Sequence, residues 1–180
     1  MKKVLVEEYL KNEGIEMDQV DRDWFQKWDR YKDLDRYLLL YALVKYKKCE
    51  NALEIGSSAG WGCMAMRDGG AKRVLGIDVK PKAYPTNRIE IVKGDSTVII
   101  PTLREKFDII FIDGNHDYEF VKQDIENCRK ICRKYLVMHD WGIVYGPTKA
   151  INEIYGEIEL IVDDNRRVKT VGGIFIEKYT

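Results

Sequence analysis

The sequence predicts an α/β protein: a mostly parallel sheet covered by helices on both faces. Three observations lead there. Short, near-continuous apolar runs recur from residue 51 onward. Amphipathic stretches of helical length separate most of them. Polar turns rich in glycine and aspartate follow several of the runs. A strand buried on both faces needs apolar side chains at successive positions, and two parallel neighbours need a crossover, usually a helix.

In chain order, the first 48 residues read as helical. Trp24, Trp28 and Tyr31 follow i, i+4, i+7 spacing, as do Leu34, Leu38 and Tyr41. Asp33 or Asp35 is placed to cap the second of these helices. The aromatic stripe suits a helix packed on the core, or a lid over a ligand. The runs "NALEI" (51–55), "VLGI" (74–77), "IEIV" (89–92), "DIIFI" (108–112) and "YLVM" (135–138) read as strands. Helices are expected over 61–68, 96–104 and 119–133. The stretch 79–88 holds Pro81 and Pro85 and is short for a helical crossover, so an irregular connection is expected. Pro147 suits the first turn of a helix over 147–156. The end of the chain changes texture. "EIELIV" (157–162), the turn-like "DDNR" (163–166) and "VKTVGGIFIEK" (168–178) read as an antiparallel hairpin. Within it Gly172 and Gly173 mark a bulge or a close backbone approach. No linker or repeat divides the chain. One domain is expected over 1–180, with residues 1–48 as a helical N-terminal cap and 49–180 as the core.

Composition narrows the classes. The chain has 180 residues, enough for one sizeable core. Thirty basic and thirty acidic side chains cancel, so the basic excess that phosphate neutralisation favours is missing and no nucleic-acid partner is expected. No apolar run approaches the roughly 20 residues that span a bilayer, and no membrane partner is expected. The N-terminal "MKKVLVEEYLKNEG" meets acidic residues too early for a signal peptide. A cytoplasmic protein with reduced thiols is expected. None of Cys49, Cys63, Cys128 and Cys132 forms C-x-x-C. Cys128 and Cys132, on one face of the predicted helix, read as small apolar packing residues.

The chemistry gathers at the ends of the predicted strands. "LEIGSSAGWG" (53–62) joins the first strand to a helix, and Gly56 and Gly60 allow a tight turn and a close backbone approach to a ligand. Asp78 ends the next strand, 24 residues after Glu54, near the roughly 20 expected for an acid that holds ribose hydroxyls. A nicotinamide cofactor favours G-x-G-x-x-G, but here the spacing is Gly56-x-x-x-Gly60 with Ser58 in place of the middle glycine. Glu54 would also repel a pyrophosphate, and it suits a ligand with a positive end.

"EIGSSAG", "GID", "GDS" (94–96), "FDIIFIDG" and "YLVMHDW", in that order, resemble a class I S-adenosylmethionine-dependent methyltransferase. The resemblance covers about residues 50–178. It implies a Rossmann-like, doubly wound, mostly parallel seven-stranded sheet with an antiparallel C-terminal strand. It implies S-adenosyl-L-methionine as cofactor, with Gly56, Ser57 and Gly60 near its methionine portion and Glu54 supporting the loop. By the same carry-over Asp78 holds the ribose, Asp95 and Ser96 lie beside adenine, and Asp113 closes the cofactor-binding set. The expected activity is methylation of a small-molecule hydroxyl. A cofactor-binding protein without transferase activity is the alternative, and a nicotinamide-type oxidoreductase is a third reading.

Both histidines fall in His-Asp contexts after strand-like runs, His116 in "FIDGNHDY" and His139 in "YLVMHDW". Neighbouring strands would bring Asp113, His116, His139 and Asp140 together. The catalytic candidates are His116 as base with Asp113 and Asp140. The pattern resembles the metal-dependent O-methyltransferase branch that includes macrocin methyltransferases and cephalosporin hydroxylase-like proteins. That likeness implies Mg²⁺ on Asp113, His139 and Asp140, orienting the acceptor hydroxyls. This chain departs from the branch at His139-Asp140-Trp141, where paired acids or amides are usual. A second reading has His139 and Asp140 lining the pocket without a metal, and a third has both histidines as strand-end hydrogen-bonders. "NHDY" also has the Asn and Tyr spacing of a DNA amino-methyltransferase loop, but both of that loop's prolines are missing.

Overall fold

Eight strands form one sheet in the order β1-β7-β8-β6-β5-β2-β3-β4. The computed structural model describes residues 2–16, 34–83, 85–158, 160–163 and 173–179. In chain order the elements are β1 (Lys2–Leu5), α1 (Val6–Asn12), α2 (Leu34–Lys47), β2 (Asn51–Ile55), α3 (Trp61–Asp68), β3 (Arg73–Asp78), β4 (Ile89–Lys93), α4 (Ser96–Ile99), a 3-10 turn (Ile100–Thr102), β5 (Phe107–Ile112), α5 (Tyr118–Ile131), β6 (Cys132–Trp141), α6 (Tyr145–Tyr155), β7 (Leu160–Asp163) and β8 (Gly173–Lys178). All pairings are parallel except those of β8, which runs antiparallel to both β6 and β7. The expected reversed strand at the C-terminal end is therefore present.

The sheet sorts its side chains into two cores. In β5 every residue is buried. Ile109 and Phe111 face the side packed by α1, α2 and α3, with Leu38, Leu43 and Met66. Ile110 and Ile112 face the side packed by α5 and α6, with Val121, Ile125 and Ile151. Such double coverage explains why the central strands lack a polar alternation. β2 sits between β3 and β5. The chain leaves β2 in one direction through β3 and β4, then returns to β5 on the other side. The connections on either side of β2 therefore diverge, and a crevice opens at the carboxyl ends of β2 and β5.

Several expectations shift. Residues 2–5 form a strand and not a helix, pairing with Leu160–Asp163 and adding an eighth strand to the seven expected. Only Val4 of this strand is buried, so its apolar signal was one residue long. Lys2 and Lys3 mark it as a protected sheet edge. The helix expected over 96–104 tightens into a 3-10 turn at Ile100, where Pro101 removes a backbone donor. Helix α5 stops at Ile131 and Cys132 opens β6, so Cys128 and Cys132 do not share a helix face. All four cysteines are free and buried, as small apolar residues would be. Pro147 lies in the first turn of α6, and Asp35 in the first turn of α2. The β6–β8 register shifts between Met138 and Trp141, where Gly173 pairs with Trp141. Trp24, Trp28, Tyr31, Asp33, residues 164–166 of the expected turn, and Gly172 lie outside the described residues. Among the described residues, no helix is long and apolar enough to cross a membrane.

Candidate active site

The β2–α3 loop starts under a steric constraint. Gly56 has φ +83°, and a Cβ there would lie 2.5 Å from Gly114 Cα and closer still to the Asp113 carbonyl. Only glycine lets the ends of β2 and β5 approach this closely. The Gly56 amide donates to the Ile77 carbonyl (2.8 Å) and the Asp113 amide to the Ile55 carbonyl (2.9 Å). The loop is thereby tied to β3 on one side and β5 on the other.

Glu54 supports this loop from behind. It is buried, and its Oε2 accepts from the Cys63 amide at 2.6 Å. That amide is one of the free donors at the start of α3. Burial pushes the Glu54 carboxyl up to about 8, while hydrogen bonds from Cys63 and Gly62 work the other way. Ser57 is also buried, and its Oγ has no hydrogen-bond partner among the described residues. Gly60 caps α3 in a left-handed conformation. These three sequence candidates back the loop and do not line the cavity in front of it.

That cavity has a volume of about 340 Å³ and lies at the crevice. Gly56, Ser58, Asp78, Asp95, Ser96 and Asp113 line it, with Ile77, Val79 and Phe120 as apolar walls. Asp78 Oδ2 accepts from the Ser58 amide (2.8 Å) and Oδ1 from the Lys80 amide (2.7 Å). Asp95 caps α4, its Oδ1 accepting from the Thr97 amide (2.9 Å) and hydroxyl (2.7 Å). Three carboxylates thus end up around one cavity, brought there by β3, β4 and β5. Ser58, a loop hydroxyl that the sequence reading did not place in the cofactor-binding set, takes the wall position expected of Ser57. Its φ of +38° turns the chain there.

Beside the cavity the two His-Asp pairs meet. Asp140 is buried and has φ +62°, uncommon outside glycine but tolerated best by Asp and Asn. Its Oδ1 lies 2.9 Å from His139 Nδ1 and its Oδ2 lies 2.9 Å from His116 Nε2. Asp113 Oδ1 lies 3.3 Å from His139 Nδ1. The His116 side chain is half exposed and that of His139 is buried.

A fifth member, Arg36 from the first turn of α2, was not singled out in the sequence. Its Nη1 donates to Asp113 Oδ2 at 3.1 Å and lies 2.9 Å from His139 Nδ1. A lone pair on that ring nitrogen takes an Arg36 hydrogen; a hydrogen there goes to Asp140 or Asp113. In either tautomer Arg36 keeps Asp113. Burial alone would raise the Asp113 carboxyl. The His139 hydrogen bond and the charges of His139, Arg36 and His116 outweigh it and hold Asp113 below the usual carboxylate range. The only local signal for Arg36 was a cation two positions before the buried run Leu38–Val44.

Donor atoms of Asp113, His139 and Asp140 lie within 4.8 Å of one another. Mg²⁺ wants about six oxygens in octahedral order at about 2.1 Å. Here one donor is an imidazole nitrogen, and the Arg36 guanidinium is already against two of the three groups. These residues do not fit Mg²⁺ while Arg36 holds its place.

A protein-family profile described as a methyltransferase domain matches residues 53–141. Over that span the chain is similar to a methyltransferase domain. The matched span includes the glycine loop, all three cavity carboxylates and both His-Asp pairs, but not Arg36. A curated relative, a probable cobalt-precorrin-6B C(15)-methyltransferase (decarboxylating) of Saccharolobus solfataricus, is 31% identical over 109 residues, covering 53% of this chain and 54% of its own. The chain therefore spans about half the length of that relative. Among solved structures, the O-methyltransferase TomG of Streptomyces achromogenes, in complex with SAM, superposes with TM-score 0.66 at 17% identity over 81% of this chain and 79% of its own. An O-methyltransferase of Bacillus cereus in complex with SAH gives 0.64 at 21% identity over 95% and 94%. At such identities these likenesses speak for the fold alone.

Proposed function

We propose that the chain transfers a methyl group from S-adenosylmethionine to a hydroxyl of a small molecule. The observation that carries this reading is the cavity at the β2/β5 crevice, with Asp78, Asp95 and Asp113 around it. An acidic lining suits a cationic ligand bearing a ribose diol and repels a pyrophosphate. TomG and the Bacillus cereus enzyme, whose folds this chain shares, are O-methyltransferases in complex with SAM and SAH.

Bound there, S-adenosylmethionine supplies an electrophilic methyl on positively charged sulfur. Asp78 holds the ribose hydroxyls, because each of its oxygens takes one amide hydrogen and keeps a further lone pair. Asp95 and Ser96 face the base, with Val79 and Phe120 as apolar walls. Asp113 belongs to both the cavity and the histidine cluster, and so lies where cofactor and acceptor meet. Asp140 accepts the His116 Nε2 hydrogen, which leaves the lone pair on Nδ1 to take the acceptor's proton. Most of the rate gain comes from holding acceptor oxygen and methyl carbon in line. The four free, buried thiols fit a reducing compartment such as the cytoplasm. The first 48 residues, which bring Arg36 to the cluster, are read as a cap on a single domain.

Calorimetry with S-adenosylhomocysteine tests the cofactor, followed by a screen of hydroxyl and amine acceptors for turnover. Binding with hydroxyl turnover is expected. Failure to bind it, together with binding of a nicotinamide nucleotide, would assign the cavity to an oxidoreductase. Binding without turnover on any acceptor would leave a cofactor-binding protein.

A further inference from the structure

We propose that Arg36 is the resident cation of the acceptor end, seated where a divalent ion would otherwise bind, so that this site holds no metal. The name "acceptor end" rests on the methyltransferase reading; the exclusion of metal rests on the arrangement of side chains alone.

Two of the three donor groups that approach within 4.8 Å of one another already contact the same Arg36 nitrogen, at 3.1 Å and 2.9 Å. A metal bound to Asp113 and His139 would sit about 2.0–2.2 Å from their donor atoms. It would therefore press against the guanidinium, two cations in one low-dielectric space. Arg36 and a metal are mutually exclusive occupants.

Arg36 is built to stay. Its side chain is 11% exposed, so withdrawing it would leave the Asp113 carboxylate without its cation. It stands at the start of α2, whose following residues Leu38–Val44 are all buried, and the helix cannot slide without opening that core. Guanidinium remains charged at every working pH, and its planar fork of donors suits a carboxylate. The usual job of a metal in such a place is to put fixed positive charge beside the acceptor oxygen. Arg36 supplies that charge from the chain itself.

Full-length wild-type protein, Arg36→Gln and Arg36→Gln/Asp140→Asn are titrated with Mn²⁺ by calorimetry, with S-adenosylhomocysteine titrated separately into wild type. The wild type should give no Mn²⁺ heat up to about 1 mM, and Arg36→Gln should bind about tenfold tighter or more, because a like charge has been removed. The added Asp140→Asn should abolish that gain. A merely structural arginine would not produce metal binding when lost. Should the glutamine variant not fold, Arg36→Met takes its place and keeps the packing of the stem. Micromolar Mn²⁺ binding by wild type, or a folded variant that gains none, would overturn the inference. The S-adenosylhomocysteine titration judges the methyltransferase reading on its own, so the two can fail separately.

Discussion

Glu54 should make the protein lose stability as the pH rises. Glu54 is 3% exposed, and burial pushes its carboxyl up to about 8 in the folded chain, against 4.5 for the free side chain. Between those values the folded chain keeps a proton that the unfolded chain has released. Stability then falls with pH, because the folded state binds more protons. Each pH unit across that window costs up to about 1.4 kcal/mol, which amounts to several kcal/mol over the whole of it. Below about pH 4.5 the penalty is absent, since both states are protonated. Above about 8 it is complete, since both are ionised. Other groups titrate in the same range, including Asp124, which burial raises to about 6. The comparison must therefore be a difference. Urea unfolding of wild type and Glu54→Gln from pH 5 to 9 isolates it. Glutamine keeps an acceptor for the Cys63 amide and cannot ionise. At pH 5 the two should lie within about 2 kcal/mol, the span of one altered hydrogen bond. By pH 8 the variant should have gained on wild type by a few kcal/mol. A difference that stays flat across this range would refute the claim that Glu54 is buried as an acid behind the loop.

Other perturbations read the cavity and the cluster. Gly56→Ala forces a Cβ into the β5 end at a positive φ; thermal unfolding should show a loss of about 1–3 kcal/mol, and calorimetry a loss of S-adenosylhomocysteine binding. Asp78→Ala should weaken that ligand by roughly 10- to 100-fold, the range of hydrogen bonds to a charged group; unchanged affinity would remove the ribose role. Gly146→Ala would overlap the His116 carbonyl and reach 2.8 Å from the Tyr118 amide. It should displace the His116 loop, costing about 1–3 kcal/mol and lowering turnover more than cofactor affinity. Asp140→Asn tolerates the same left-handed backbone but removes the charge both histidines share; methyl transfer should drop by about 10²-fold or more while the fold is kept.

Much of the architecture was legible because it is repeated locally. Five apolar runs and the helices between them lie close to where periodicity put them, and the reversed strand at the end followed from its hairpin-like pattern. The acids Asp78 and Asp113 were legible as polar residues at strand ends and Asp95 through the family resemblance, and in the structure all three line one cavity. Less local features were not legible. The strand Lys2–Leu5 carries one buried residue, and its partner β7 lies near the other end of the chain. Ser57 and Ser58 are adjacent hydroxyls with nothing in the sequence to tell them apart; a positive φ at Ser58 decides which faces the cavity and which is buried.

By itself, the sequence determined the order of strands and helices from residue 51 onward, the glycine loop and the acids at the strand ends, because each depends on neighbours within a few residues. Only the tertiary structure decided that Asp140 bridges both histidines and that Arg36 stands against Asp113. The Arg36–Asp113 pair is 77 residues apart and Arg36–His139 is 103 apart. No local pattern encodes such a meeting. It exists because α2 packs its buried face on the same core as Ile109, Phe111, Tyr135 and Val137 of β5 and β6, which carries the guanidinium to Asp113 and His139, where a buried cation finds its partners.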